Sequence, residues 1–520
     1  MDMEKLTIIR TVNILKAIVD RQKKIQKNSF CESALKSRAF FDIKYNVLNS
    51  PIILSLLIFS AIPGQLFGQS TVGDSLSTAR SVDGSYISWK EHLIDDPVTS
   101  GVPFSGSDGL VMGDLDLDGI DDIVSVHESD STYDSSVPGE APDAMGHVRI
   151  AFGSENPNKW VNITLAEGKD ASAAEDAAIA DVNGDGFPDI MVAAEVSHLI
   201  YFQNPGENIR TLPWERLILP MTQGRGSYIR VFLADLDGDG LPEAIAPNKG
   251  AHMPAVEDYR RSTAVSIYKF NEDPLVGSNW SEIELGFFSS PRNSEPVDID
   301  GDGDLDIIVG SIGEKRIILF ENVDPKNLTF IEHAIGVYGQ STGGFNMKFL
   351  DLNGDGRLDI IGAAAQRLAW FEQPADIDHT WISRTIGSFL PDTMTGFEID
   401  DINGDGFIDI IAGSYSKGPR MGDGDVTVKD KLGRIGWFEN PGVLEKQWIR
   451  HDISRRKRGM YDKFIARDLD DDGDTDFIAT RGNSYPYDGV FWLEQLRTAT
   501  RKPAFERARE RDSPEMPLPK

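Results

Sequence analysis

The sequence is poor in cysteine, in net positive charge and in long hydrophobic runs. A single Cys31 excludes a disulfide framework, a CxxC redox pair and a cysteine-based zinc site. Lys and Arg number 52 against 83 Asp and Glu, a formal net charge of −31. Bulk charge of that sign does not neutralise a phosphate backbone, so nucleic acid is not expected as a partner. The apolar run Pro51 to Ile62 falls short of the roughly 20 residues a membrane-spanning helix needs, and no transmembrane span is expected in the mature chain. Also missing are GxSxG, HExxH, a phosphate-binding Gly-rich loop and the kinase signatures, so most hydrolase and transferase mechanisms lack their carriers.

What is present points to an all-β chain. Gly 49 and Pro 27 in 520 residues supply many turns, and 40% hydrophobic residues suffice for a large core. Residues 1–69 read as a signal or targeting segment with a long basic region, in which the Pro51 to Ile62 run is the apolar core and cleavage falls between Pro63 and Ser70. The alternative is a buried apolar segment of a small N-terminal domain. Export makes the protein secreted, periplasmic or displayed on the cell surface, and removes Cys31. Residues 70–85 read as a linker, and 497–520, charged and Pro-rich, as a disordered tail.

An acidic nonapeptide recurs seven times, beginning at Asp114, Asp181, Asp235, Asp298, Asp351, Asp401 and Asp468, with a mean spacing of 59 residues. That period accommodates about four strands and their turns. A β-branched run follows each copy, as in Ile307-Ile308-Val309-Gly310. An aromatic strand closing on Glu/Gln-Asn/Gln comes next in most copies, as in Trp437-Phe438-Glu439-Asn440-Pro441. A strand opening with a large aromatic precedes each nonapeptide, from Trp89 to Trp448. Four strands in each of seven units predict a seven-bladed β-propeller over residues 86–496. Because the repeat begins one strand early, the Trp89 strand is expected to be the outer strand of the last blade, closing the ring by strand exchange.

Positions 1, 3, 5 and 9 of the nonapeptide carry side-chain oxygens. They are Asp114, Asp116, Asp118 and Asp122 in the first copy, then Asp181, Asn183, Asp185 and Asp189, and Asp235, Asp237, Asp239 and Glu243. The fourth and fifth copies give Asp298, Asp300, Asp302 and Asp306, and Asp351, Asn353, Asp355 and Asp359. The last two give Asp401, Asn403, Asp405 and Asp409, and Asp468, Asp470, Asp472 and Asp476. Hard oxygens at that spacing, with Gly at position 6 to turn the chain, suit Ca2+, which takes six to eight oxygens at about 2.3–2.6 Å. Zn2+ would require His or Cys, and no loop contains either. The nonapeptides hold 29 carboxylates, and crowding them without a cation is unfavourable. Up to seven structural Ca2+ are expected, with weaker binding where Asn stands at position 3. The competing reading is that DG and NG are merely turn residues whose Asp side chains cap the backbone.

With its hydrophobic follow-on strand, the nonapeptide resembles the FG-GAP and VCBS repeats, calcium-loop propeller modules also seen in integrin α-subunit heads. The aromatic-Glu-Asn-Pro strands are similar to those of the propeller part of aldos-2-ulose dehydratase. The resemblance implies adhesion, or the binding or cleavage of polysaccharide.

On the face opposite the acidic loops, long insertions at 127–146, 247–263 and 414–434 bring basic and aromatic residues together. His252, Tyr259, Arg260, Arg261, Arg420, Arg456, Arg458, Tyr461 and Tyr485 are the candidate contacts for an acidic glycan, since Arg forks bind carboxylate or sulfate and aromatic faces pack on sugar rings. Alternatively these charges are solvated and simply balance an acidic protein. The preferred reading is a monomeric binding module for carbohydrate or a cell-surface protein. The alternative is a carbohydrate lyase or dehydratase with His127, His252 and Asp258 as acid–base groups.

Overall fold

The computed structural model describes residues 70–129, 145–196, 198–252, 254–339, 342–364, 366–416 and 422–520. The proposed targeting segment 1–69 and Arg420 lie outside them.

Seven sheets follow one another along the chain, antiparallel except for a short parallel edge strand added to the fifth (Val337–Tyr338 beside Trp381–Ile382) and to the last, and together they form a seven-bladed propeller. Blade 1 comprises Ser107–Gly113, Asp122–His127, His147–Phe152 and Val161–Glu167. Blades 2 to 6 repeat that plan from Ala174, Phe232, Pro291, Met347 and Thr393. Blade 7 joins Phe464–Arg467, Asp476–Arg481 and Gly489–Thr498 to the chain's first long strand, Tyr86–Asp95, with Trp89 opposite Gln495.

Both faces of each blade are covered, which explains why the second strands read as continuous apolar runs rather than alternating ones. In Asp189–Ala194, Ile190 and Val192 point toward blade 1, where they meet Val124, Val126 and Ile150. Met191 and Ala193 point the other way, to Ala244, Ala246 and Tyr268 of blade 3. Seven buried clusters of this kind each join two neighbouring blades. The one joining last blade to first sets Ile478 and Trp492 against Leu110, Ile123 and Ala151. Each fully buried Ile, Val or Leu contributes about 1.5–3 kcal/mol, so stability lies between blades rather than within any one of them.

The two segments flanking the propeller differ from the sequence expectation. Residues 497–520 are not a disordered tail. Phe505–Glu506 pairs parallel to Trp89–Lys90, Met516 N donates to the Arg455 carbonyl at 2.7 Å, and Phe505 and Asp512 are buried. Residues 70–85 are likewise packed: the Phe505 N–H donates to the Gly73 carbonyl, and Val72 and Ala79 are buried. Composition registers only low hydrophobicity here. The C-terminal segment is held by charge pairs to distant parts of the chain, such as Asp512 with Arg481 and Arg509 with Asp96, and residues 70–85 by backbone hydrogen bonds to Asn403, Lys502 and Met516 and from Ala504 and Phe505.

Candidate functional site

Each nonapeptide forms the turn between the first and second strands of its blade. Local hydrogen bonds wind it. In six of the seven loops the position-1 carboxylate takes backbone N–H groups from positions 5 and 6, as Asp181 does from Asp185 and Gly186 at 3.0 and 2.8 Å, and Asp401 from Asp405 and Gly406 at 2.9 and 2.8 Å; in the fourth, Asp298 takes them from Gly301 and Gly303. The position-5 carboxylate accepts from position 7, as Asp118 does from Ile120 at 2.9 Å. Position 6 needs a left-handed backbone, with φ 93° at Gly186 and 101° at Gly303, a region open to Gly at no steric cost.

Position 9 has a role the sequence did not disclose. Its side chain is buried, and it ties the loop to the third strand. Asp122 accepts from Leu115 N at 3.1 Å and from Gly153 N at 2.9 Å, and Asp476 from Leu469 N and Gln495 N at 3.0 and 2.9 Å. Burial raises these carboxyls against the hydrogen bonds that lower them, to about 6 at Asp189 and Asp359, about 7 at Asp122 and Asp306, and about 8 at Asp409 and Asp476.

Carboxylate oxygens converge in four of the loops. Asp114, Asp116 and Asp122 bring ligand atoms within 4.8 Å of one another, as do Asp235, Asp237 and Asp239, Asp298, Asp300 and Asp302, and Asp468, Asp470 and Asp476. The remaining three loops carry Asn183, Asn353 and Asn403 at position 3, and each amide nitrogen donates to the position-5 carboxylate at 2.9–3.1 Å. Among the described residues four buried loop oxygens, Asp116 Oδ1, Asp409 Oδ2, Asp470 Oδ1 and Asp474 Oδ1, accept no hydrogen bond. A buried anionic oxygen without a donor is costly, and a hard cation relieves it.

The basic cluster read as an anion site is mostly internal. Arg456 is 1% exposed and pairs with Glu91, while Tyr461 is fully buried between blades 6 and 7. Arg458 Nε donates to Asp423 at 3.0 Å and its Nη1 to the Tyr485 carbonyl at 2.9 Å, with Tyr485 half-buried. His252 is buried, its Nδ1 2.7 Å from Glu195 Oε2, and Glu195 also takes the Lys249 ammonium. His127 is sealed under the Phe104 ring and spends Nδ1 on Ser107 Oγ at 2.7 Å and Nε2 on Ser125 Oγ at 3.1 Å. Of the described ligand candidates, Tyr259, Arg260 and Arg261 stay exposed, on and beside the short turn Asp258–Arg260. Among the described residues no helix is long and apolar enough to cross a membrane.

A closed ring of seven four-stranded blades with an acidic turn in each defines a β-propeller of the repeat class. A family of FG-GAP-like repeats matches residues 181–246, 298–362 and 351–412. No curated protein matches the chain. Among solved structures, an Agrocybe aegerita lectin described as recognising non-reducing terminal N-acetylglucosamine is 16% identical, with 69% of this chain and 82% of that one covered and a TM-score of 0.41. Rhamnogalacturonan lyase YesW is 15% identical over 85% of this chain and 77% of its own, with a TM-score of 0.41. The Bacillus licheniformis rhamnogalacturonan lyase is 13% identical over 82% and 75%, with a TM-score of 0.40. Likenesses this distant carry no argument about what the chain binds.

Proposed function

We propose that the chain is a calcium-stabilised propeller acting outside the cell as a binding module for an acidic carbohydrate or a cell-surface protein. The observation that carries the calcium half is the set of donorless buried oxygens on Asp116, Asp470 and Asp409, inside turns already wound by their own backbone. Positions 1, 3, 5 and 9 would supply the ion's side-chain oxygens, with position 9 also bracing the loop to the third strand. The ion's contribution is structural: it offsets carboxylate repulsion at the turn joining the first two strands.

The binding half rests on Tyr259, Arg260 and Arg261, a cationic and aromatic group exposed on an insertion of an otherwise acidic protein. It is preferred to a lyase or dehydratase because two of the three groups named for proton transfer, His127 and His252, are buried and engaged with Ser107, Ser125 and Glu195, while the half-buried Asp258 accepts from Ala255 N at 2.8 Å.

Two measurements test this reading. Chelator should lower the melting temperature, and added Ca2+ should restore it; an unchanged transition overturns the calcium half. On a glycan array, the Arg260→Glu/Arg261→Glu variant should lose binding to acidic glycans. Binding equal to the parent's overturns the site.

A further inference from the structure

The third loop differs from its six siblings in two residues at once. It ends in Glu243 where the others end in Asp. Across from it on the third strand, Lys269 occupies a position fixed by register. Ala244 faces Tyr268 just as Ile190 faces Phe202, Ile307 faces Phe320 and Ile410 faces Phe438. The residue after each of those partners is Gln203, Glu321 and Glu439 in blades 2, 4 and 6, and Glu372 and Glu494 fill it in blades 5 and 7. Blade 1 has Phe152 there. Only blade 3 places a cation at this point.

That cation enters the loop. Lys269 Nζ donates to Asp237, to Asp239 at 2.9 Å and to Glu243 Oε1 at 2.8 Å. An ammonium has three N–H donors, and each one here meets a different carboxylate. Glu243 Oε2 keeps the brace to Leu236 N at 2.9 Å that position 9 makes elsewhere. Its extra methylene frees Oε1 to reach the ammonium, whereas in the Asp loops that second oxygen takes a third-strand N–H, as Asp306 does from Asn322 at 2.8 Å. Burial opposes the Lys269 charge, but the three hydrogen bonds outweigh it and hold the ammonium above its usual range.

We infer that Lys269 is the resident cation of the third loop, taking the place of the inorganic ion, so that this loop binds no divalent metal. The inference rests on the calcium reading of the other loops. A divalent ion among the same oxygens would have to displace an ammonium that shares three carboxylates and then remain beside it, in unfavourable like-charge contact. Arg210 at the first loop is a different case. It reaches only Asp116 and Asp118, at 2.6 and 3.3 Å, is 39% exposed, and leaves Asp116 Oδ1 without a donor.

The test is Ca2+ stoichiometry by calorimetry and equilibrium dialysis on the full chain, the parent against Lys269→Gln, which installs the residue of blade 2. The variant should bind one more ion than the parent, while Lys269→Arg should bind the same number as the parent. Equal nonzero counts in parent and Lys269→Gln overturn the inference. A second arm, melting in chelator, reads Lys269 without any ion. There Lys269→Gln should melt below the parent, and excess Ca2+ should close the gap. If no protein binds Ca2+, the calcium reading fails, and an unchanged melting point in chelator then removes the role of Lys269 as well.

Discussion

Arg456 sets Nη1 and Nη2 on the two carboxylate oxygens of Glu91, 2.9 Å from each, with both side chains 1% exposed. The pair joins blade 6 to the chain's first strand. Arg481 of blade 7 and Asp512 of the C-terminal segment complete it, with Arg481 Nη2 2.8 Å from Asp512. Removing Arg456 leaves the buried Glu91 carboxylate, among the described residues, only Arg481 Nη1, 3.6 Å away, and the Ala508 N–H, and breaking a buried pair in this way costs about 3–5 kcal/mol. Arg456→Met should therefore lose about that much in chemical denaturation. The Arg456→Met/Glu91→Leu double variant should lose clearly less than the sum of the two single losses. Strict additivity would mean the pair is not coupled.

Truncation after Lys502 provides the second prediction. It removes Phe505 from beside Trp89 and Asp512 from Arg481, leaving two buried guanidinium groups to share Glu91. The truncated chain should melt well below the parent, and Phe505→Ala alone should cost about 3–5 kcal/mol as a buried aromatic deletion. A disordered tail would come off without any change in the melting curve.

Much of the architecture was legible because the nonapeptide is a local signal. The bonds that wind the turn run between residues at most five apart, so the sequence displays them directly. The strands around it were legible from Trp89 and its counterparts and from runs such as Ile307 to Gly310. The charge partners were not. Arg456 reads as a surface cation until Glu91, 365 positions away, is brought beside it, and nothing in residues 497–520 announces Asp512. Lys269 did leave a trace, since Glu243 breaks the Asp pattern and the third strand carries Glu or Gln at that point in five other blades. Only the register makes the two oddities a pair.

Acid sensitivity offers a third prediction. Burial, with Arg149 and His147 nearby, holds the His127 imidazole well below its ordinary 6.5, so the folded protein keeps it neutral while the unfolded chain takes up a proton. Stability from this group is complete above pH 6.5 and is lost as pH falls below it, at up to about 1.4 kcal/mol per pH unit. His147 and His198 are lowered mainly by burial and act in the same sense. The position-9 Asp carboxyls, raised to about 6–8, act in the opposite sense, so the comparison of variant with parent isolates this group: the stability of His127→Gln relative to the parent should rise as pH falls from about 7.5 to 5. A difference that does not vary with pH would place the acid sensitivity elsewhere.

Position 4 of the nonapeptide yields a stabilising substitution. Five loops have Gly there in the left-handed region, with φ 74° at Gly184 and 73° at Gly354, but the first loop forces Leu117 to φ 58° and the last forces Asp471 to 58°. A side chain with a Cβ strains this conformation by roughly 1–2 kcal/mol, and Asp tolerates it better than Leu because its carboxylate bonds locally. Leu117 is 52% exposed, so little burial is lost with its side chain. Gly does raise the entropy of the unfolded chain, by about 0.5–1 kcal/mol, and that sets the limit of the gain. Leu117→Gly should therefore stabilise the protein by up to about 1 kcal/mol in denaturant titration, and Asp471→Gly by less. If Leu117→Gly is destabilising instead, the first loop does not hold position 4 in the left-handed turn, and its oxygens are not arranged like those of its siblings.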